Sequence, residues 1–134
     1  MHEKIATFLK NNHLLHLSLI SEGAPYAASC FYRYDPIGRA LLFASSTTTL
    51  HMQALMRYPR VAGTIACCDQ NIATLQGVQF VGEVAKATKE QRSLYYRAYP
   101  VALAMDEPIW AIELSWIKMT DNSLGFGRKI EWRR

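Results

Sequence analysis

Five hydroxyl residues in a row, Ser45, Ser46, Thr47, Thr48 and Thr49, stand between an apolar run and a segment with helical spacing in the stretch LLFASSTTTLHMQALMRYPRV. Hydroxyls and free backbone amides at a helix start suit an anion, above all a phosphate. The apolar positions Leu50, Ala54 and Leu55 recur at helical spacing until Pro59 stops the segment. A bare N-cap would need only one of those hydroxyls, so two readings stand: a plain cap with spare surface hydroxyls, or several donors around one phosphate. In the second reading Ser45 and Thr49 supply hydroxyls, amides near Leu50 add to them, and His51 donates one hydrogen bond.

A second unusual stretch, TDNSLGFGRKIEW, runs from Thr120 to Trp132. Gly125 and Gly127 flank Phe126, and Arg128 and Lys129 follow, without the spacing of a nucleotide P-loop. Either this is a tight turn before a last strand, or the glycines admit a ligand while Phe126 stacks and a basic residue meets an anion.

Other chemistries find little support. His13 and His16 fall on opposite faces of a strand pattern, so no metal site is expected. Cys30, Cys67 and Cys68 lie in apolar contexts without disulfide or metal-ligand spacing and read as reduced core thiols. No nucleophile elbow is visible. Asp69, Asp106, Glu107 and Asp121 all lie in turns, so a mechanism with two carboxylates is not indicated. The formal charge is +4, yet the basic residues are scattered except at the end of the sequence, and nucleic-acid binding is not expected.

The chain has 134 residues, half of them hydrophobic and 19% charged, which suits one ordered domain over residues 1–134. No apolar stretch reaches the roughly 18 residues of a membrane span, and no signal-peptide order is visible, so a cytoplasmic location without membrane contact is the expectation.

The elements that must hold these residues can be read from periodicity. Ile5, Phe8 and Leu9 mark a short amphipathic helix ending near Asn11 and Asn12, a lid for the core. Strands are expected around Leu15–Leu19, from Tyr26 to Tyr34 after the turn Glu22-Gly23-Ala24-Pro25, and from Ala40 to Ser45, the last buried on both faces. Further strands are expected from Val61 to Cys68, from Ala73 to Ala87 with Gly77 and Gly82 as bulge positions, and from Trp110 to Trp116, half-buried. Thr88 and Gln91 fit a capping box for a helix reaching about Tyr99, and Val101–Met105 is ambiguous. The expected fold is mainly β: a six-stranded antiparallel split β-barrel of Greek-key type with three short peripheral helices, some of its edges covered by a partner subunit.

On these residues the chain resembles the FMN-binding split β-barrel proteins, typified by pyridoxamine 5'-phosphate oxidase and flavin reductases. The likeness is strongest over LLFASSTTTLHMQALMRYPRVAGTI, and the terminal pattern TDN-x-LGFG-x-K-x-x-W is similar to that of a small, functionally uncharacterised bacterial branch. The resemblance implies a homodimer with two FMN sites at the subunit interface. The ring edge would touch Ser29, Cys30 and Phe31 on one strand and Ala44 and Ser45 on another. The phosphate would meet Thr49, Leu50 and His51, and Gln76 and Gly77 would approach the ring. Where that family carries a basic pair this chain has Leu50 and His51, and Arg128 or Lys129, from either subunit, could supply the charge. The function so implied is that of an FMN-binding oxidoreductase on an unknown small molecule; the alternative is a non-catalytic dimeric barrel holding haem, a deazaflavin or no ligand, in a regulatory or interaction role.

Overall fold

The computed structural model describes residues 1–67 and 70–134, so the expectations placed on Cys68 and Asp69 lie outside the described residues. In chain order the elements are α1 (Glu3–Asn11), β1 (Leu14–Ser21), β2 (Ala24–Phe31), β3 (Arg33–Asp35), β4 (Ala40–Ala44), α2 (Leu50–Arg57), β5 (Arg60–Ala66), β6 (Gln76–Lys86), α3 (Lys89–Ala98), α4 (Ala102–Met105), β7 (Ile109–Asp121) and β8 (Lys129–Arg133). Short three-ten turns lie at Ile72–Thr74 and Asn122–Leu124.

The eight strands form one antiparallel sheet in the order β2-β1-β5-β6-β7-β4-β3, with β8 also paired to β7. The sheet curls until β2 and β4 approach each other, but no ladder joins them. That unpaired seam is where the site lies.

The expected count of six strands is corrected to eight, for two reasons. The segment Tyr26–Tyr34 is not one strand: the Tyr32 N–H still donates to the His13 carbonyl at 2.8 Å, in line with the β1–β2 register, and beyond it the chain changes partner. Before the break β2 pairs with β1, and after it β3 pairs with β4. At the other end, Lys129–Arg133 pairs with Trp116–Thr120 of β7, which realises the reading of the terminal stretch as a tight turn before a last strand, a strand that the count of six leaves out.

Two apolar clusters explain the burial. The larger one fills the inside of the curl with Leu15, Leu17, Phe43, Phe80 and Ile112, closed at one end by Ile5, Phe8 and Leu9 of α1. The smaller one sits on the opposite face of β4 and β7, where Leu42, Ile109 and Ala111 meet Tyr95 of α3 and Ala102 of α4. Burial on both faces of β4 follows, as its continuous apolar run implies. The half-buried reading of Trp110–Trp116 holds at Glu113 and Ser115, which are exposed between buried Ile112 and Leu114, and is corrected at Ala111, which is buried because α3 and α4 cover that face.

Glycine acts at one crowded point of the long strand. The β6–β7 register shifts between Val81 and Gly82, and a Cβ on Gly82 would lie 2.5 Å from the carbonyl oxygen of Glu113. Gly77 keeps regular register.

Caps set the helices. Thr88 and Gln91 form the capping box, and the spare amide of Gln91 donates to Asp35 Oδ2 at 2.9 Å, tying α3 to the β3–β4 turn. Val101–Met105 resolves into the short α4. Among the described residues no helix is long and apolar enough to cross a membrane, and no group of His, Cys, Asp and Glu is placed to hold a metal.

Candidate functional site

The β4 strand does not end at Ala44 in hydrogen-bonding terms. Ser45 extends it, donating its N–H to the Pro108 carbonyl at 3.1 Å and accepting from the Trp110 indole N–H at 3.0 Å. With its backbone held on both sides, Ser45 aims its hydroxyl into the turn, where Oγ lies 2.9 Å from His51 Nε2 and 3.2 Å from Thr49 Oγ1. Thr49 is the N-cap of α2: its Oγ1 accepts from the Met52 amide at 3.3 Å and donates to the Ser46 carbonyl at 3.1 Å. Ser46 and Thr48 bond to each other at 2.8 Å. The plain-cap reading of the hydroxyl cluster is therefore realised in part, and Ser45 and His51 add a polar contact that a cap does not need.

Across the unpaired seam stands β2 with Ser29, Cys30 and Phe31. The third wall comes from α3 and α4, held in place by the Gln91–Asp35 contact and by Tyr99, whose hydroxyl donates to the Tyr32 carbonyl at 2.6 Å. Together these walls enclose a cavity of about 410 Å³, within the range of small-molecule and cofactor pockets. Aromatic rings line one side: Phe31 and Tyr99 lie 6.2 Å apart, Tyr95 and Tyr99 5.0 Å apart, and His13 stacks on the back of Phe31. Phe31 remains 58% exposed, an open aromatic face.

Burial favours the neutral form of four lining groups, His51, Cys30, Tyr95 and Tyr99. Burial lowers the His51 pKa, so the imidazole is the uncharged form at neutral pH. Burial pushes the Cys30 thiol up to about 11 and Tyr95 up to about 12, and it raises Tyr99 as well. Cys30 is a half-buried thiol at the cavity wall rather than a core residue, and Cys67 is half-buried with its thiol donating to the Gln76 carbonyl at 3.2 Å. Cys30 is not activated for nucleophilic work by these surroundings. Among the described residues no lysine or arginine lines the cavity, and the one carboxylate there is Glu107.

Of the residues singled out in the sequence, Ser29, Cys30, Phe31, Ala44, Ser45, Thr49 and His51 meet around this cavity. The other five lie elsewhere in the chain. Leu50 faces a smaller hollow of about 240 Å³ with Ile20 and Tyr58. Gln76 lies under α1 and donates to Asp121 Oδ2 at 3.0 Å, while Gly77 sits opposite Thr120 in the ladder. Arg128 and Lys129 are exposed at the β7–β8 connection.

That connection is built as a fastening. Burial alone would raise the pKa of Asp121, yet hydrogen bonds from Ser123 and Gln76 hold its carboxyl below the usual range. Asn122 donates its side-chain amide to the Ile72 carbonyl at 2.7 Å and accepts from the Gly127 N–H at 3.0 Å. Gly125 and Gly127 have φ of 126° and 74°, which explains glycine at both places. Sequence reasoning missed Tyr95, Tyr99, Met105 and Glu107. The spacing of Tyr95 on α3 and Tyr99 at its C-cap, four apart, brings two aromatic rings to the same side and was the available signal.

The arrangement can hold a flat, largely apolar ring between β2 and β4. Its edges would meet Ser29 and the backbone at Ala44 and Ser45, and polar substituents would be directed toward the start of α2. The lining fits the ring of a flavin well; a phosphate would find hydroxyls and helix-start amides there but no cation.

No family model matches the chain. A UPF0306 protein of Photorhabdus laumondii is 40% identical over 134 residues, covering 97% of this chain and 94% of that protein. Among solved structures, a haem-binding protein of Mycobacterium smegmatis superposes with a TM-score of 0.75 at 18% identity, over 91% of this chain and 53% of that longer one. A FAD-binding protein of Mesorhizobium loti superposes with a TM-score of 0.72 at 15% identity, over 89% of this chain and 94% of its own. At such identities the superpositions establish a shared fold.

Proposed function

Because the chain belongs to the UPF0306 family, and because its seam cavity has the shape and lining described, we propose that it binds a flavin-type cofactor there and works as an oxidoreductase on a small molecule. The observation that carries this reading is the convergence of Ser29, Phe31, Ala44, Ser45 and Tyr99 on one cavity at an unpaired seam of the sheet. Support of a second kind comes from the fold, since a FAD-binding protein and a haem-binding protein share it. FMN is the form that the split-barrel resemblance implies, its phosphate lying at Thr49, Leu50 and His51.

In this reading the chain orients and shields while the cofactor, when bound, supplies the electron chemistry. Phe31 and Tyr99 cover one face of the ring, and the neutral His51 offers or accepts one hydrogen bond through the nitrogen that meets Ser45. Two copies pair through the outer sheet face, which leaves Leu14, Ile20 and Phe31 exposed among small residues such as Ala27 and Ala62.

The test is direct. Purified protein is titrated with riboflavin and with FMN, followed by flavin fluorescence and visible absorption, and the bound flavin is challenged with NADH or NADPH. Saturable binding that Ala44→Trp abolishes, with the fold intact by circular dichroism, supports the reading. Protein that stays colourless and binds neither flavin overturns it.

A further inference from the structure

We infer that the cavity selects an uncharged or cationic ring over a phosphorylated one, so that riboflavin, or a flat aromatic ligand without an anionic tail, binds at least as tightly as FMN. This rests on the flavin-ring reading above and adds to it a charge rule.

Three observations at the start of α2 lead here. First, the hydroxyls are already engaged. Ser45 bonds His51 and Thr49, Thr49 bonds the Ser46 carbonyl and the Met52 amide, and Ser46 bonds Thr48. A phosphate would have to take these donors from partners they already hold, so its net gain falls well below that of donors left open. Second, His51 is a neutral imidazole, and no lysine or arginine stands among the lining residues. Phosphate recognition by side chains ordinarily relies on such cations.

Third, among the described residues the lining carries one carboxylate, Glu107, next in the chain to Pro108, whose carbonyl accepts from the Ser45 N–H at 3.1 Å. A dianionic group placed at the start of α2 would therefore share the cavity with a carboxylate, in a partly desolvated space where like charges repel more than in water. The positive end of the α2 dipole offsets part of this, but α2 has only eight residues and its first turn carries no cation. Against that balance, the apolar and aromatic part of the lining is indifferent to the tail. Ring burial drives affinity, and the tail is penalised.

The experiment compares riboflavin and FMN on the unmodified protein and on Glu107→Gln, by fluorescence titration at low and at high salt. The expected result is a riboflavin dissociation constant equal to or below that of FMN in the unmodified protein. In Glu107→Gln, FMN affinity rises by roughly tenfold, the scale of removing one close like charge, while riboflavin affinity stays unchanged. Glu107→Lys strengthens FMN further and makes its binding weaken with added salt. FMN binding clearly tighter than riboflavin in the unmodified protein, or a Glu107→Gln variant that moves both ligands equally, overturns the charge rule while leaving the flavin reading standing. Binding of neither ligand removes the flavin reading itself, and the rule with it.

Discussion

Trp110 donates its indole N–H to the carbonyl of Ser45 across 3.0 Å, linking a buried core ring to the first residue of the hydroxyl turn. Trp110 is 5% exposed and pairs across the ladder with Phe43, so the large core cluster reaches to the edge of the cavity. The position of the Ser45 hydroxyl is thus set by packing as well as by the turn.

Replacing Trp110 by Phe leaves that carbonyl without its donor in a buried place. The expected loss is about 1–3 kcal/mol of stability, read as a lower urea midpoint at an unchanged slope. An unchanged midpoint would mean that water takes over the bond without cost.

Thr49→Ala removes the cap of α2 and the three bonds of its hydroxyl, to Ser45, the Ser46 carbonyl and the Met52 amide. The expected cost is about 1 kcal/mol, with Thr49→Ser restoring most of it. Urea unfolding of the two variants side by side checks this, and equal losses in both would place the effect in the threonine methyl group.

His51 titrates with a defined sign. Its folded pKa lies below the ordinary value because burial disfavours the cation, so the unfolded chain takes up a proton first as the pH falls. The stability that a neutral His51 contributes is full above the ordinary histidine pKa and is lost as the pH drops through the lower folded value. His51→Gln should flatten that part of the stability profile, measured by chemical denaturation at pH values on both sides of the transition.

Cys30, pushed up to about 11, should behave as a slow thiol. Its alkylation by iodoacetamide, followed by peptide mapping, is expected to rise with pH well past the range where an ordinary thiol has levelled off. A plateau near the ordinary thiol pKa would show that its surroundings are wetter than the packing indicates.

Gly82→Ala tests the crowded point on β6. The added methyl group would sit 2.5 Å from the Glu113 carbonyl oxygen and 2.8 Å from Ile112 Cγ2. The backbone must move to admit it, and a loss of about 1–3 kcal/mol is expected from overpacking. Thermal or urea unfolding would reveal it.

Local rules made much of this fold legible. The capping box of Thr88 and Gln91, the lid helix with Ile5, Phe8 and Leu9, and the doubly buried β4 all follow from interactions between near neighbours or from a short apolar run. What escaped was decided by distant partners. The break after Tyr32 depends on β3 finding β4 as its partner, and the burial of Ala111 depends on helices that no period within β7 announces. The same division holds for the site. Ser45, Thr49 and His51 announce themselves by chemistry in one short run, whereas Tyr95, Tyr99 and Glu107 arrive from elements whose approach to β4 is a tertiary matter.

The fastening of Asp121 and Asn122 to Gln76, Ile72 and Gly127 is joinery, closing two loops at one corner of the molecule. None of these five residues lines the seam cavity, so the corner and the hydroxyl turn are held by separate sets of bonds. Substitutions in the one are expected to leave the other in place, which lets scaffold and cargo be altered independently.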